Sequence, residues 1–272
     1  MDKNLKTRLV VGLFGIVVIL FATVVHLYSF VVVFLFFWSL STLELIHLID
    51  SEGMYRLFML LFSLWIGLLY PGYGVVIPYE LILLIWVLAV FFIFTSNFAS
   101  VRVPFFVQNH GSWMKSLTFP VYVTLPYIFL VIIRSGERGL FWIVFLLLTA
   151  WILDVFSYFA GMLFGKHKIA PKISPKKTVE GLLGGILFSS VFIFMYLKYF
   201  TNTQLIPILF IAFTLPVAGF LGDLFESLIK RREGVKDSGD LLSGHGGFLD
   251  RFDSILFITI LFSFYHFILR WL

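Results

Sequence analysis

The sequence predicts an all-α polytopic integral membrane protein with about nine transmembrane helices, a cytoplasmic N-terminus and a C-terminus outside. Of the 272 residues, 60% are hydrophobic and 13% are charged, whereas a soluble domain carries about 25% charged residues. The mean hydropathy is +1.02, and the 35 phenylalanines exceed what one globular core of this length would hold. These observations exclude a soluble domain and a disordered chain. The absence of cysteine excludes disulfides, thiolate metal sites and a cysteine nucleophile.

Apolar stretches of about 20 residues, the length that a helix needs to cross a bilayer core, recur along the chain. Three basic residues precede the first stretch, and no small-residue cleavage site follows it, which indicates an anchored helix rather than a signal peptide. The stretch at 55–70 is the shortest. The predicted spans are 9–26, 28–49, 55–70, 75–96, 116–134, 138–165, 179–200, 204–230 and 251–270.

The Lys and Arg residues are distributed unevenly over the predicted loops. With nine spans, 16 of the 20 basic residues fall on the side of the N-terminus and four fall on the other side. Because Lys and Arg are retained on the cytoplasmic side of a membrane, the N-terminus and the three longest loops are expected to face the cytoplasm. These loops lie near 97–115, 166–178 and 231–250.

The sequence divides into an N-terminal hydrophobic helical region, 1–133, and a C-terminal catalytic transmembrane region, 134–272. The second region holds 10 of the 15 acidic residues. The sequence shows no internal repeat, which argues against a transporter built from two related halves. The chemistry is therefore expected in the second region.

One predicted helix, 204–230, carries carboxylate, hydroxyl and cationic side chains along a single face. An ionised side chain inside a bilayer costs several kcal/mol and therefore needs a partner or a role. The structural alternative is a carboxylate that is hydrogen-bonded within the bundle, and it is stronger for Asp154 in the span 138–165. We interpret the mixed face as part of a binding site. It comprises Asp223, Ser227, Lys230 and Arg231, at i, i+4, i+7 and i+8, with Glu226 beside them.

The segment from Asp223 to Asp253 concentrates charge, with seven acidic and five basic residues in an otherwise apolar chain. His245 in this segment is followed by Gly246 and Gly247. Glycine allows the backbone to approach a ligand closely, and successive N–H groups can form an anion-binding nest. The segment is therefore a candidate for binding phosphate groups.

Asp250 and Asp253 lie three residues apart where the last span begins, with Arg251 between them. Asp250 is expected to cap the N-terminus of this helix. Paired carboxylates suit a hard cation such as Mg²⁺, and the neighbouring Arg and Lys side chains suit the phosphates that Mg²⁺ accompanies. The sequence therefore predicts a magnesium and phosphate site.

A lysine-rich loop lies within 165–181. Its charge has a simpler alternative, which is attraction to anionic lipid headgroups. Thr178 is expected to cap the next helix, and glycines spaced by four residues, 161/165 and 181/185, are typical of close helix packing. The loop gains functional interest because it is expected to face the same compartment as the acidic segment. Its lysines are Lys166, Lys168, Lys172, Lys176 and Lys177.

Two stretches together resemble a known enzyme family. Residues 227–253, with the pattern SLIKR, KD and HGGFLDRFD, closely resemble the C-terminal signature of phosphatidate cytidylyltransferases, also called CDP-diacylglycerol synthases. Residues 174–181, SPKKTVEG, resemble the family's second hallmark. The sequence departs from the family pattern at Ser243, where proline is usual. Trp151, Asp154, Tyr158 and Gly161 also fit, so the likeness covers about 151–181 and 222–254.

The resemblance implies that CTP and phosphatidate react to give CDP-diacylglycerol and pyrophosphate, with Mg²⁺ as cofactor, at the cytoplasmic face of a bacterial inner membrane. The expected catalytic residues are Asp223, Asp250, Lys230, Arg251 and Lys177. The expected metal ligands are Asp223 and Asp250, with Asp253 and Glu226 as weaker candidates. The expected substrate-binding residues are Ser174, Lys176, Ser227, Arg231, Lys236, Asp237, His245, Gly246 and Gly247.

Two alternatives remain at this point. Another membrane enzyme that uses CTP, such as a polyprenol-type kinase, would transfer the γ-phosphoryl group instead of the cytidylyl group. An ion-coupled transporter is disfavoured because the charges gather toward one face. The expected partners are CTP, phosphatidate and membrane lipid, without nucleic acid. A homodimer and a second cation stay open.

Overall fold

The computed structural model describes residues 15–49, 79–102, 112–239, 246–270 and 272, together with the single helical positions 57 and 61. Most of these residues are helical. In chain order the elements are α1 Gly15–Val25, α2 Leu27–Leu48, α3 Tyr79–Arg102, α4 Ser112–Ser135, α5 Gly139–Phe164, β1 Lys168–Ala170, β2 Ser174–Thr178, α6 Val179–Phe200, α7 Leu205–Arg232, a 3₁₀ turn Leu249–Arg251, and α8 Asp253–Ser263 with a π-helical continuation Phe264–Ile268.

Five helices in the described part of the chain are long and apolar enough to cross a membrane. This confirms the predicted class, a helical integral membrane protein. The predicted span 55–70 lies outside the described residues except at positions 57 and 61. The number of nine spans and the orientation of the termini stay predictions. The five helices are Leu27–Leu48, Leu117–Ser135, Gly139–Phe164, Val179–Phe200 and Leu205–Arg232, and shorter apolar helices at Gly15–Val25, Glu80–Phe94 and Asp253–Ile268 lie within three further predicted spans.

The chain divides into two compact units. The first takes Met1–Leu140 and Leu228–Phe252, and the second takes Phe141–Ser227 and Asp253–Leu272. Helix α7 contributes to both, because the boundary falls after Ser227. The predicted functional division into 1–133 and 134–272 stays a prediction.

The first unit is held together by buried polar contacts between apolar helices. The indole N–H of Trp38 on α2 donates to the hydroxyl of Thr124 on α4 at 3.1 Å. The indole N–H of Trp86 on α3 donates to the carbonyl of Tyr122 on α4 at 3.1 Å. A buried indole N–H needs such a partner, because water does not reach it. These bonds fix α2 and α3 against α4.

The second unit relies on small residues where α5 meets α6. A Cβ atom added to Gly181 would lie 2.8 Å from the carbonyl oxygen of Ser157 and 3.2 Å from the Cα of Gly161. Larger side chains would therefore force the two helices apart. This confirms the close glycine packing that the spacing predicts. Helix α7 packs in the same way, since a Cβ on Gly219 would lie 2.7 Å from the side chain of Leu153.

The lysine-rich loop forms a small antiparallel hairpin between α5 and α6. Lys168 pairs with Thr178, and Ala170 pairs with Ser174. Thr178 then caps α6, as predicted, by accepting a hydrogen bond from the N–H of Gly181 at 3.2 Å. The hairpin was not predicted, since the sequence indicated an irregular loop.

The predicted helix cap at Asp250 is wrong. Helix α8 begins at Asp253, and Asp250 lies in the preceding 3₁₀ turn, whose N-cap is Phe248. The Asp250 carboxylate accepts hydrogen bonds from two N–H groups earlier in the chain. Hydrogen bonds from Ser238 and Gly247 therefore occupy this carboxylate in place of the predicted cap.

Candidate active site

The second unit joins the lysine hairpin to the polar face of α7. Lys177, near the end of β2, places its Nζ 2.5 Å from Oδ2 of Asp223. The hydroxyl of Ser227, one helical turn further, donates to Oδ1 of Asp223 at 3.5 Å. The ammonium of Lys177 also lies 4.9 Å from the ring centroid of Phe220, which is within the range of a cation–π contact. One carboxylate thus contacts a cation and a hydroxyl.

The base of the hairpin is fixed by Glu180 in the first turn of α6. Its carboxylate accepts hydrogen bonds from the N–H of Lys166 at 3.0 Å and the N–H of His167 at 3.2 Å. The ring Nδ1 of His167 lies 2.6 Å from Oε1 of the same carboxylate. These contacts join the start of the hairpin to the helix that follows it, and so they help to position Lys177.

The first unit contains a second carboxylate–lysine pair. Lys230 in the last turn of α7 forms an ion pair with Oδ1 of Asp250, and both side chains are 9% exposed. Oδ2 of Asp250 accepts hydrogen bonds from the N–H of Ser238 at 3.1 Å and of Gly247 at 2.8 Å. This carboxylate is therefore held by a cation and by two backbone groups.

Gly246 is required by its backbone geometry and by its surroundings. Its φ angle is +79°, in the left-handed region that favours glycine. A Cβ atom there would lie 2.8 Å from Oδ2 of Asp250 and 3.3 Å from the Cβ of Asp237. The turn can therefore approach Asp250 only because Gly246 has no side chain.

Glu44 on α2 belongs to the same network, and the sequence reasoning missed it. It is 4% exposed, and it accepts hydrogen bonds from Ser238, Phe248 and Leu249. A signal was present, because Glu44 is a carboxylate inside a predicted apolar span. The same criterion drew attention to Asp154 and Asp223.

The remaining predicted site residues are more peripheral or more buried. Arg231 donates to the carbonyl of Val235 at 2.9 Å, beyond the end of α7. Asp253 is 9% exposed and accepts a hydrogen bond from the N–H of Ser254 at 2.6 Å. Glu226 is fully buried, and His245 lies outside the described residues. Ser174 is half-buried, and the exposed side chains are Lys176, Lys236, Asp237 and Arg251.

The chemistry of the donor set fits a divalent cation, since Asp223 and Asp250 offer carboxylate oxygens, which Mg²⁺ prefers. Each of these carboxylates contacts a lysine ammonium, which neutralises part of its charge and would have to share the carboxylate with a bound ion. Within the described ranges, no three Asp, Glu or His side chains gather in a group that could hold a metal ion. Asp223 belongs to the second unit and Asp250 to the first. A shared ion stays a prediction.

Apolar helices with lysine–carboxylate pairs define an integral membrane protein that has charged groups suited to phosphate chemistry. A sequence model described as the cytidylyltransferase family matches residues 6–269. The chain therefore belongs to this family. The finding confirms the resemblance that the two motifs indicated.

Curated relatives carry the name phosphatidate cytidylyltransferase. The chain is 43% identical to that of Staphylococcus saprophyticus over 160 residues, and 42% identical to that of Staphylococcus aureus over 161 residues. Each match covers 57% of this chain and 61% of the relative. A relative from Aquifex aeolicus is 44% identical over 154 residues, which is 56% of each chain. The chain thus spans about three fifths of the length of the curated relatives that it matches.

Proposed function

We propose that this protein transfers the cytidylyl group of CTP to phosphatidate at the cytoplasmic face of a bacterial inner membrane, giving CDP-diacylglycerol and pyrophosphate. Family membership and the printed names of the relatives support this reaction. The main structural support for this reaction is the contact between Lys177 and Asp223. It joins the 174–181 stretch to the 222–254 stretch, and these are the two stretches on which the family resemblance rests.

The proposed reaction is an in-line displacement at phosphorus. A phosphate oxygen of phosphatidate forms a bond to the α-phosphorus of CTP, and the bond from that phosphorus to the bridging oxygen of the β-phosphate breaks. Pyrophosphate leaves with the bonding electrons. Because a phosphate monoester is already ionised near neutral pH, the nucleophile needs no catalytic base. Catalysis then consists of positioning and charge neutralisation.

In this proposal, lysine and arginine side chains neutralise the negative charge of the substrate phosphates. Lys177 and Lys230 are the strongest candidates, because each is held beside a carboxylate rather than free in solvent. Exposed cations would contribute further phosphate contacts. The glycine turn at 246–247 supports Asp250 instead, because the N–H of Gly247 donates to its carboxylate at 2.8 Å. Among the expected site residues, the exposed or partly exposed cations besides Lys177 are Lys176, Arg231, Lys236 and Arg251.

Asp223 and Asp250 would hold the Mg²⁺ ion, with Asp253 and Glu226 as weaker candidates. When bound, the ion would neutralise phosphate charge and orient the triphosphate. Four carboxylates within 31 residues of an otherwise apolar chain support this part of the proposal. A second cation is a further option that this donor set allows.

The proposed orientation follows from the distribution of basic residues. CTP is a cytosolic solute, whereas phosphatidate presents its headgroup at the membrane surface. Both the lysine hairpin and the acidic segment belong to loops on the Lys- and Arg-rich side of the chain. Both substrates are available to these loops if that side is cytoplasmic.

The test is to follow label from CTP into lipid. Purified protein in detergent is incubated with phosphatidate, Mg²⁺ and CTP that is labelled either in the cytosine ring or at the γ-phosphate. Cytidylyl transfer places the ring label in lipid and the γ-label in pyrophosphate. A lipid kinase would give the opposite pattern, with γ-label in lipid and free CDP. That result, or no transfer at all, would overturn the proposal.

A further inference from the structure

Glu44 is a carboxylate in the interior of the apolar helix α2, and all of its described partners lie about 200 residues later in the chain. Oε1 accepts a hydrogen bond from the N–H of Phe248 at 2.6 Å. Oε2 accepts one from the N–H of Leu249 at 2.8 Å and one from the hydroxyl of Ser238 at 3.0 Å. Glu44 therefore binds the acidic segment at two places.

These contacts satisfy groups that would otherwise be unpaired. A buried carboxylate is costly unless hydrogen bonds replace its lost hydration, and Glu44 receives three described hydrogen bonds from neutral donors. The N–H groups of Phe248 and Leu249 begin the 3₁₀ turn, where backbone donors have no partner within the turn. Glu44 thus provides from α2 the cap that no local side chain gives this turn.

Glu44 and Asp250 hold the same two pieces of backbone. Asp250 accepts hydrogen bonds from the N–H groups of Ser238 and Gly247. Glu44 accepts hydrogen bonds from the hydroxyl of the same Ser238 and from the N–H of Phe248, which follows Gly247. The backbone on either side of these bonds lies close against the Glu44 carboxylate. A Cβ on Gly247 would lie 2.6 Å from Oε2 of Glu44, and a Cβ on Gly239 would lie 3.0 Å from Oε1. Glu44 and Asp250 are therefore connected through Ser238 and through the adjacent N–H groups of Gly247 and Phe248.

We propose that Glu44 is a positioning residue for cytidylyl transfer. It fixes Ser238 and the Gly247–Leu249 turn, and through them it sets the orientation of Asp250. This inference rests on the proposed function, and it extends the catalytic machinery into the N-terminal hydrophobic region.

The test variant is Glu44→Gln, which keeps the size of the side chain. Its amide NH₂ cannot accept from the peptide N–H that it faces. Loss of one hydrogen bond to a charged group corresponds to roughly a 10- to 100-fold change in the rate or equilibrium constant that depends on it. We expect kcat/KM for CTP to fall by that factor with a raised KM for CTP, while the KM for phosphatidate stays within about twofold. Hydrogen–deuterium exchange over residues 246–252 should rise by about the same factor.

Ser41→Ala is the matched control. Ser41 is a fully buried polar residue on the same helix, and its hydroxyl lies 2.9 Å from that of Tyr127 on α4. The variant loses a buried hydrogen bond of α2 and keeps every hydrogen bond between Glu44 and the turn. The ring of Tyr127 also packs against Phe252, with centroids 5.8 Å apart, so the control includes a packing contact to the turn but none of the described hydrogen bonds to it. We expect a lower unfolding temperature in detergent, but unchanged exchange over 246–252 and a kcat/KM within about twofold of the wild type.

The exchange and kinetic measurements separate the outcomes. Unchanged exchange over 246–252 in Glu44→Gln would overturn the proposal. A uniform rise in exchange across α2 and α4, with activity lost only in proportion to the unfolded fraction, would also overturn it, because the effect would then be on global stability. If Glu44→Gln does not fold, the second variant is Ser238→Ala, which removes only the hydroxyl that donates to Glu44. We expect exchange over 246–252 to rise and kcat/KM to fall, each by roughly three- to tenfold. No change in either quantity would refute the proposal. A wild-type protein that transfers no cytidylyl group would refute the proposed function, while the exchange data would still test the contact.

Discussion

Replacing Lys177 by methionine tests the proposed site most directly. Methionine keeps most of the length of the side chain but removes the ammonium that lies 2.5 Å from Asp223. In the proposed reaction the same ammonium neutralises substrate phosphate. The variant should therefore lose both a structural ion pair and a catalytic cation, and the two losses differ in size.

The structural loss is the smaller one. The side chain of Lys177 is 18% exposed and that of Asp223 is 31% exposed, so the pair is intermediate between an exposed and a buried salt bridge. Removing one partner should cost about 1–3 kcal/mol of folding free energy. A protein with only about 5 kcal/mol of stability would still be more than about 95% folded. The catalytic loss should be about 10²–10³-fold, as for removal of one charge-stabilising donor.

The assay is the transfer of cytosine-labelled CTP into lipid, normalised to the folded fraction from size-exclusion chromatography. Lys198→Met is the control, because Lys198 is an exposed cation in the last turn of α6, at the opposite end of that helix from the hairpin. We expect the control to keep wild-type activity. If Lys177→Met retained more than about half of the wild-type rate, the assignment of Lys177 to phosphate binding would be wrong.

Two further predictions concern the carboxylates and the glycine turn. Asp223→Asn and Asp250→Asn should each abolish lipid-linked cytidine, because a neutral amide is a poor Mg²⁺ ligand. Each rate is normalised to the folded fraction, since each variant also leaves a lysine ammonium without its anionic partner. Full activity in either variant would contradict the metal assignment. Gly246→Ala should lower the rate at least about tenfold, because the added Cβ meets Asp250 at 2.8 Å in addition to costing about 1–2 kcal/mol of backbone strain. Gly234→Ala is the control, because it carries similar backbone strain at φ +74° but its Cβ has no neighbour within 4 Å. Equal losses of rate in the two variants would show that the contact with Asp250 does not cause the loss.

The helices could be predicted from the sequence because composition and length determine them in a bilayer. The spans predicted at 138–165 and 179–200 correspond to helices at Gly139–Phe164 and Val179–Phe200. The hairpin between them could not be predicted in this way. Its strands are short, rich in lysine and mostly half-buried or exposed, and they lack the alternation of apolar and polar residues that marks a strand. Pairing and the contacts of Glu180 stabilise it instead.

The candidate site was only partly visible in the sequence. Charge in an apolar chain indicated Asp223, Lys230 and the lysine-rich loop that contains Lys177, and the family resemblance pointed to the same residues. Glu44 was missed because its partners are remote in sequence, and two of them are backbone N–H groups that no side-chain pattern reveals. The cap at Asp250 was wrong because backbone N–H groups earlier in the chain, those of Ser238 and Gly247, occupy its carboxylate.

Asp250 and Asp253 show how a contiguous motif can serve two networks. The sequence treats them as a pair three residues apart, but Asp250 belongs to the first unit and Asp253 to the second. Asp250 is tied to Lys230, Ser238 and Gly247, whereas Asp253 begins α8 and accepts from the N–H of Ser254. The chain also passes from the second unit to the first after Ser227, within the same family signature. The signature therefore contains two of the three boundaries between the units, after Ser227 and after Phe252, whereas the third falls after Leu140. A substitution in the signature acts on the network of the unit in which it lies, and spacing in the sequence does not tell which unit that is.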